Sequence, residues 1–270
     1  MRKSFLIVLT LALIASSLIS ISCKKSGLES VPPEALSSDE ALFKLGETYI
    51  KKDMDKGMLY LRQLIDSYPR SFYAQRAKLL IADTYFSKGD EASMILAAAE
   101  YREFMSLYPT SPSVPYCQYQ IAMTYYKNIL KPGRDQTKTI QALNEFKKVV
   151  ANYPTSEYAA QAQEKIMECE QRLAAHEFHI AEHYFKTKAY RAALPRLRGI
   201  ITTYPDFDRM DAVYFYLAEI YYQTKQYDES FPYYTKVISD FPNSKFVKKA
   251  QKRLQSIDEI KKADNLKKTG

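Results

Sequence analysis

Residues 142–156 read ALNEFKKVVANYPTS, and in them a small residue, two apolar residues and a proline advance by four, three and five: Ala142, Phe146, Val149, Pro154. Positions four and seven apart share one helix face, so the first three form an apolar stripe with its small residue where a second helix can cross. Proline ends such a helix, because it lacks the N–H donor and its ring clashes with the preceding turn. A Ser or Thr one or two residues on is a common cap for the next helix. The register recurs as Gly57-Leu61-Leu64-Pro69, Ala97-Tyr101-Phe104-Pro109, Ala193-Leu197-Ile200-Pro205 and Ser230-Tyr234-Val237-Pro242. These prolines stand 40, 45, 51 and 37 residues apart, four of them after Tyr and the last after Phe241.

Ahead of each stripe stands a shorter pattern, apolar, small, then Tyr three further on: Leu45-Gly46-Tyr49, Ile81-Ala82-Tyr85, Ile121-Ala122-Tyr125, Ile180-Ala181-Tyr184 and Leu217-Ala218-Tyr221. Two helical stripes, each with a small residue at the crossing, make the tetratricopeptide pattern of a helix pair. One match arises easily by chance; five in register do not. The longest gap between the halves holds Lys131-Pro132-Gly133-Arg134-Asp135, a loop lengthening the turn of the third pair. One pair cannot bury its apolar stripe alone, so stacking on neighbours supplies the core. The expectation is an all-α superhelix of about five tetratricopeptide (TPR) helix pairs with a C-terminal capping helix over roughly 244–263. Residues 38–154 hold repeats 1–3, 155–263 hold repeats 4–5 and the cap, and 264–270 form a disordered basic tail.

The chain opens MRKSFLIVLTLALIASSLISISCKK, with Arg2 and Lys3 before an apolar run from Phe5 to Ile21 and then Cys23. That is the layout of a signal peptide over 1–22; a membrane span needs roughly 20 apolar residues, and this run is short for one. Ser20-Ile21-Ser22-Cys23 is similar to a bacterial lipobox, with Ser20 where Leu is usual, which makes Cys23 the lipidated start of the mature chain. Residues 23–37 lack both stripes and read as a flexible tether, and Lys24 after the cysteine, rather than aspartate, favours the outer membrane. Losing Arg2 and Lys3 takes the formal charge from +8 to +6, with much of the excess in the last 26 residues. Export argues against nucleic acid as the partner of this basic end, and for a solvated helix face or an acidic protein. Cys117 and Cys169 are the other cysteines. An oxidising compartment allows a disulfide between them, and their apolar helical settings equally suit two buried thiols.

The first helix of each pair lines the concave side of a tetratricopeptide array. Positions three before, one after and four after its small residue read Phe43, Glu47, Ile50; Lys78, Asp83, Phe86; Tyr119, Met123, Tyr126; Phe178, Glu182, Phe185; and Phe215, Glu219, Tyr222. Aromatic rings bury much area at low entropy cost. Phe43, Ile50, Phe86, Tyr119, Met123 and Tyr126 therefore either form a groove for an extended peptide bearing aromatic side chains or pack on neighbouring helices.

One string has an enzyme-like spelling. His176, His179 and His183 are the only histidines and share AAHEFHIAEH, whose end matches the inverted zinc-peptidase motif H-x-x-E-H. At about 100° per residue the three cluster on a face nearly opposite Phe178, Ala181 and Phe185, the wrong side for a cleft. A polar outer face or helix-packing histidines accounts for them, and no metal or cofactor is expected. P-loop, G-x-G-x-x-G and G-x-S-x-G patterns are missing from the chain, which reads as non-enzymatic.

Three stretches resemble the BamD family of tetratricopeptide outer-membrane lipoproteins: YPTSPSVPYCQYQIAMTYY (108–126), GRDQTKTIQALNEFKKVVANYPTSEYAAQAQEKI (133–166) and RLAAHEFHIAEHYFKTKAYRAALPRLRGIITTYPD (172–206). The resemblance implies a non-catalytic scaffold of the barrel assembly (BAM) machine, lipid-anchored at the periplasmic face of the outer membrane. It implies N-terminal repeats that receive the C-terminal targeting segment of unfolded outer-membrane proteins, and C-terminal repeats that dock a POTRA domain of a BamA-like barrel protein. Arg196 of LPRLRG matches the family's docking arginine and is expected to meet an acidic residue there; other BAM lipoproteins are candidate partners. The competing readings are a TolA-binding periplasmic adaptor, a pilotin, and more remotely a zinc peptidase using HIAEH.

Overall fold

The computed structural model describes residues 38–269, which form eleven α-helices and no strand. The signal peptide, Cys23 and the tether lie outside the described residues. The chain divides into two compact units, one ending at Ala77 and one starting at Lys78.

The first unit holds α1 (Asp39–Tyr49), α2 (Met54–Ser67) and the start of α3 (Phe72–Lys88). Ser38 caps α1 by accepting the Ala41 amide, and Asp53 caps α2 by accepting that of Lys56, the oxygen-to-amide bond that helix starts require. The two helices cross glycine to glycine. A Cβ on Gly46 would come within 2.4 Å of the Leu61 side chain, and one on Gly57 within 2.5 Å of the Ile50 backbone.

The second unit holds the rest of α3, then α4 (Glu91–Leu107), α5 (Val114–Tyr126), α6 (Thr137–Asn152), α7 (Glu157–Lys186), α8 (Tyr190–Thr203), α9 (Met210–Gln223), α10 (Tyr227–Asp240) and α11 (Val247–Thr269). Its crossing positions Ala82, Ala97, Ala122, Ala142, Ala181, Ala193, Ala218 and Ser230 are all fully buried. The fifth pair closes on a polar bond, the Ser230 hydroxyl donating to the Ala218 carbonyl at 3.0 Å.

The recurring Tyr-Pro acquires one geometry in all five places. Tyr68, Tyr108, Tyr153, Tyr204 and Phe241 end their helices with φ between −129° and −134° and ψ between 53° and 62°. The following proline disfavours the helical conformation for the residue before it. Each of these carbonyls then accepts the amide three residues on, from Ser71, Ser111, Ser156, Phe207 and Ser244, a β-turn with proline in the second position. Ser71 caps α3 through the Tyr73 amide at 2.9 Å. Ser111 and Ser244 make the same bond to Ser113 and Phe246 but stand ahead of their helices, so they shape the turn rather than cap.

Helix α7 is 30 residues long. Its first half packs Ala162, Ile166, Cys169 and Leu173 against α5 and α6, and its second half packs Phe178 and Ala181 against α8 and α9. No proline or glycine falls in it, so the connection after the third pair and the first helix of the fourth run together. The expected boundary at 154/155 is the turn leading into this helix. The capping helix α11 starts at Val247 and stays helical through Thr269, past residue 263 where a disordered tail was expected. No helix breaker stands before Gly270 to stop it. Among the described residues, no helix is long and apolar enough to cross a membrane.

Candidate functional site

Helix α8 carries Pro195, Arg196 and Gly199 on its outward side, and α7 runs alongside it. Between them opens a cavity of about 590 Å³, lined by Glu177 and Tyr184 from α7, by Ala192, Pro195, Arg196, Gly199 and Thr203 from α8, and by Tyr204. Arg196 Nη1 donates to Glu177 Oε2 at 2.6 Å, and the guanidinium lies 5.9 Å from the Tyr184 ring centre. Both members of the pair keep about a third of their side-chain surface in water, 37 % for Arg196 and 35 % for Glu177. A second hollow of about 300 Å³ shares Glu177 and Tyr204 and continues past His176 to Ile140 on α6. A cation beside open apolar surface can pair with a carboxylate while an adjacent side chain fills the hollow. Of the residues lining the first cavity, the family resemblance singled out Arg196 and the repeat pattern included Tyr184; the readable sign of the rest was a proline and a glycine four apart inside a helical pattern.

The aromatic ladder divides. Phe43, Ile50 and Tyr119 are buried, at 4, 8 and 8 % exposure. Phe43 lies under the Arg76 guanidinium and beside Tyr73, Ile50 rests against Gly57, and Tyr119 packs on Phe146 and Tyr158. Phe86, Met123 and Tyr126 are half-buried. Lys127 stands 4.1 Å over the Phe86 ring, Lys165 stands 4.7 Å over that of Tyr126, and the Tyr126 hydroxyl donates to Glu168.

Of the polar rungs, Glu47 stays exposed while Lys78, Asp83, Glu182 and Glu219 turn inward. Asp83 Oδ1 accepts from Tyr101 at 2.5 Å and from Tyr116 at 2.6 Å, Glu182 accepts from Tyr216 at 3.0 Å, and Glu219 from Tyr234 at 2.5 Å. Lys78 is buried and pairs with Glu100 and Glu103 at 2.7 and 2.6 Å. Burial, then the neighbouring carboxylate, pushes the Tyr101, Tyr116 and Tyr234 hydroxyls far above the usual phenol range. They act as donors at any physiological pH.

The histidines hold the loop that lengthens the third pair. His176 Nδ1 lies 2.6 Å from the Pro132 carbonyl, a Cβ on Gly133 would stand 3.3 Å from His179 Nε2, and Arg172 donates to the Leu130 carbonyl at 3.2 Å. His183 is exposed and edge-on to Tyr184. Cys117 and Cys169 are buried free thiols, each pushed up to about 12 chiefly by burial, which resolves their pairing in favour of thiols.

The BamD outer membrane protein assembly factor of Caulobacter vibrioides is 31% identical to the chain over 163 residues, 60% of this chain and 52% of that protein. Its namesake in Pasteurella multocida is 27% identical over 180 residues, 62% of this chain and 68% of that protein. The Vibrio cholerae protein is 28% identical over 186 residues, 65% and 74% respectively. The matched region thus spans about half the length of the first of these relatives and two thirds or more of the other two. The model of the YfiO family, described as outer membrane lipoprotein, matches residues 36–228, taking in α1 to α9 and every residue that lines the Arg196 cavity. With helix pairs, turns and family model in agreement over most of its length, the chain belongs to the YfiO family of outer membrane lipoproteins.

Proposed function

We propose that this chain is a non-catalytic scaffold of outer-membrane protein assembly, anchored through a lipid on Cys23 at the periplasmic face of the outer membrane. In this reading the second unit docks a BamA-like barrel protein through one of its POTRA domains. The observation that carries it is Arg196, held half-exposed by Glu177 at the edge of a cavity of about 590 Å³. A guanidinium so placed can reach a partner's carboxylate without moving any buried side chain. Unfolded outer-membrane proteins are the second class of partner, and Phe86, Met123 and Tyr126 are the rungs of the ladder left with surface to offer them. Phe43, Ile50 and Tyr119 support the repeats from within. The relatives' description as assembly factors supports this reading.

Purification of a C-terminally tagged copy from detergent-solubilised membranes tests it. A large barrel protein with POTRA domains should co-elute in stoichiometric amount and be lost on Arg196→Glu. Co-elution of TolA or of pilus components in its place would leave the fold standing and overturn the proposed role.

A further inference from the structure

Gly199 sits in the interior of α8, where glycine is less favourable than alanine, and a Cβ there would meet nothing within 4 Å among the described residues. Nothing among the described residues requires the missing side chain. What remains is close approach from outside, the other use of glycine. Pro195, one turn earlier, also has no amide to give, so the Arg191 carbonyl has no donor four residues on. The bare backbone of Gly199 and the ring of Pro195 thus lie along the cavity, with Tyr184 and Tyr204 also lining it.

The cavity meanwhile holds a carboxylate of its own. Glu177 occupies the Arg196 guanidinium at 2.6 Å, while Arg196 makes no second ion pair among the described residues. We infer that Glu177 is a placeholder. It holds Arg196 in position in the free protein and yields it to a partner's carboxylate, whose adjacent apolar side chain then lies over Gly199. An ion pair with this much solvent contact is weak, which makes it exchangeable. While it lasts, the bond to Glu177 keeps the guanidinium at the cavity edge. The inference rests on the docking role proposed above and adds to it the competitor and the shape of the complementary patch: an acid next to an apolar residue.

The test is a titration of the full chain in detergent against the periplasmic POTRA domains of its own barrel protein. Glu177→Gln removes the competing charge and should tighten binding about two- to fivefold, the range set by one solvated pair. Gly199→Leu has room for its side chain in the free protein, favours the helix, and should weaken binding at least about tenfold by filling the floor. If Glu177→Gln binds equally or more weakly while Arg196→Ala still weakens binding, Glu177 is a fixed positioning residue and the placeholder idea falls alone. If Gly199→Leu binds as tightly as the native chain, the apolar contact is overturned. If Arg196→Ala has no effect, the docking role goes as well.

Discussion

Gly57 shows how much rests on single residues in this protein. Its missing Cβ lets α2 lie against the backbone of Ile50, and backbone, unlike the tip of a side chain, cannot step aside. Gly57→Ala should therefore destabilise the first unit by about 1–3 kcal/mol, the usual range for overpacking, read as a lower midpoint in urea. A normal midpoint would mean that the two helices separate at little cost. Lys188 offers the opposite case. It holds φ of 61° where α7 ends, as Lys225 does at 59° after α9. In each case the next amide reaches back five residues, Ala189 to Tyr184 and Gln226 to Tyr221, a left-handed closure that usually falls to glycine. Lys188→Gly should gain on the order of 1 kcal/mol, and unchanged thermal stability would show that the turn is not strained. Cys117 and Cys169, buried and with their pKa pushed up to about 12, should react with a thiol reagent at neutral pH only once the chain is unfolded; rapid labelling of the native protein would contradict their packing.

Among the elements, α11 depends most on one polar centre. Glu219, 2 % exposed, accepts from Arg253 at 2.9 Å, from Tyr234 at 2.5 Å and pairs with Lys249 at 3.2 Å. Burial alone would raise its pKa, but the bonds from Arg253 and Tyr234 and the nearby cations outweigh that and hold it below its ordinary 4.5. A carboxyl with a depressed folded pKa contributes stability that is present above its unfolded value and lost as pH falls through the folded one. The attachment of α11 should therefore weaken in acid, below pH 4.5, and Glu219→Gln should remove that dependence. Glu219→Ala leaves the buried Tyr234 hydroxyl without its acceptor and should cost about 1–3 kcal/mol. Amide hydrogen exchange along Ala250–Ile257 is the measurement. Protection equal to the native chain at pH 7 would mean that apolar contacts hold α11 unaided. The same centre shows what could be read from the sequence and what could not. The spacing from the small residue placed Asp83, Glu182 and Glu219 one position after the helix crossing, and said nothing of what each would meet. Their tyrosine partners lie 15 to 34 residues away, and no local pattern records such pairings.

At the scale of the whole molecule, the lipid proposed on Cys23 is expected to decide where the chain acts and not whether it folds. Replacing residues 1–23 by a signal peptide that is cleaved without lipidation should leave the helical content unchanged and move the protein from the membrane fraction to the soluble one, as fractionation and circular dichroism would record; retention in the membrane would point to another anchor. Composition and period by themselves determined that this protein is all-helical, that it is made of five crossing pairs, and where the second helix of each pair stops, because proline geometry and the room at a helix crossing are local and repeat with the sequence. The loop at 131–135 was legible as an insertion, whereas its seat on His176 and His179 was not. Only the tertiary structure decided that Phe43, Ile50 and Tyr119 are buried while Phe86, Met123 and Tyr126 keep some surface, that α7 runs unbroken through two clusters, and that Arg196 stands with Glu177 over an open cavity. A stripe of apolar residues specifies which side of a helix is covered; how completely, and by what, depends on neighbours that come close only when the pairs stack.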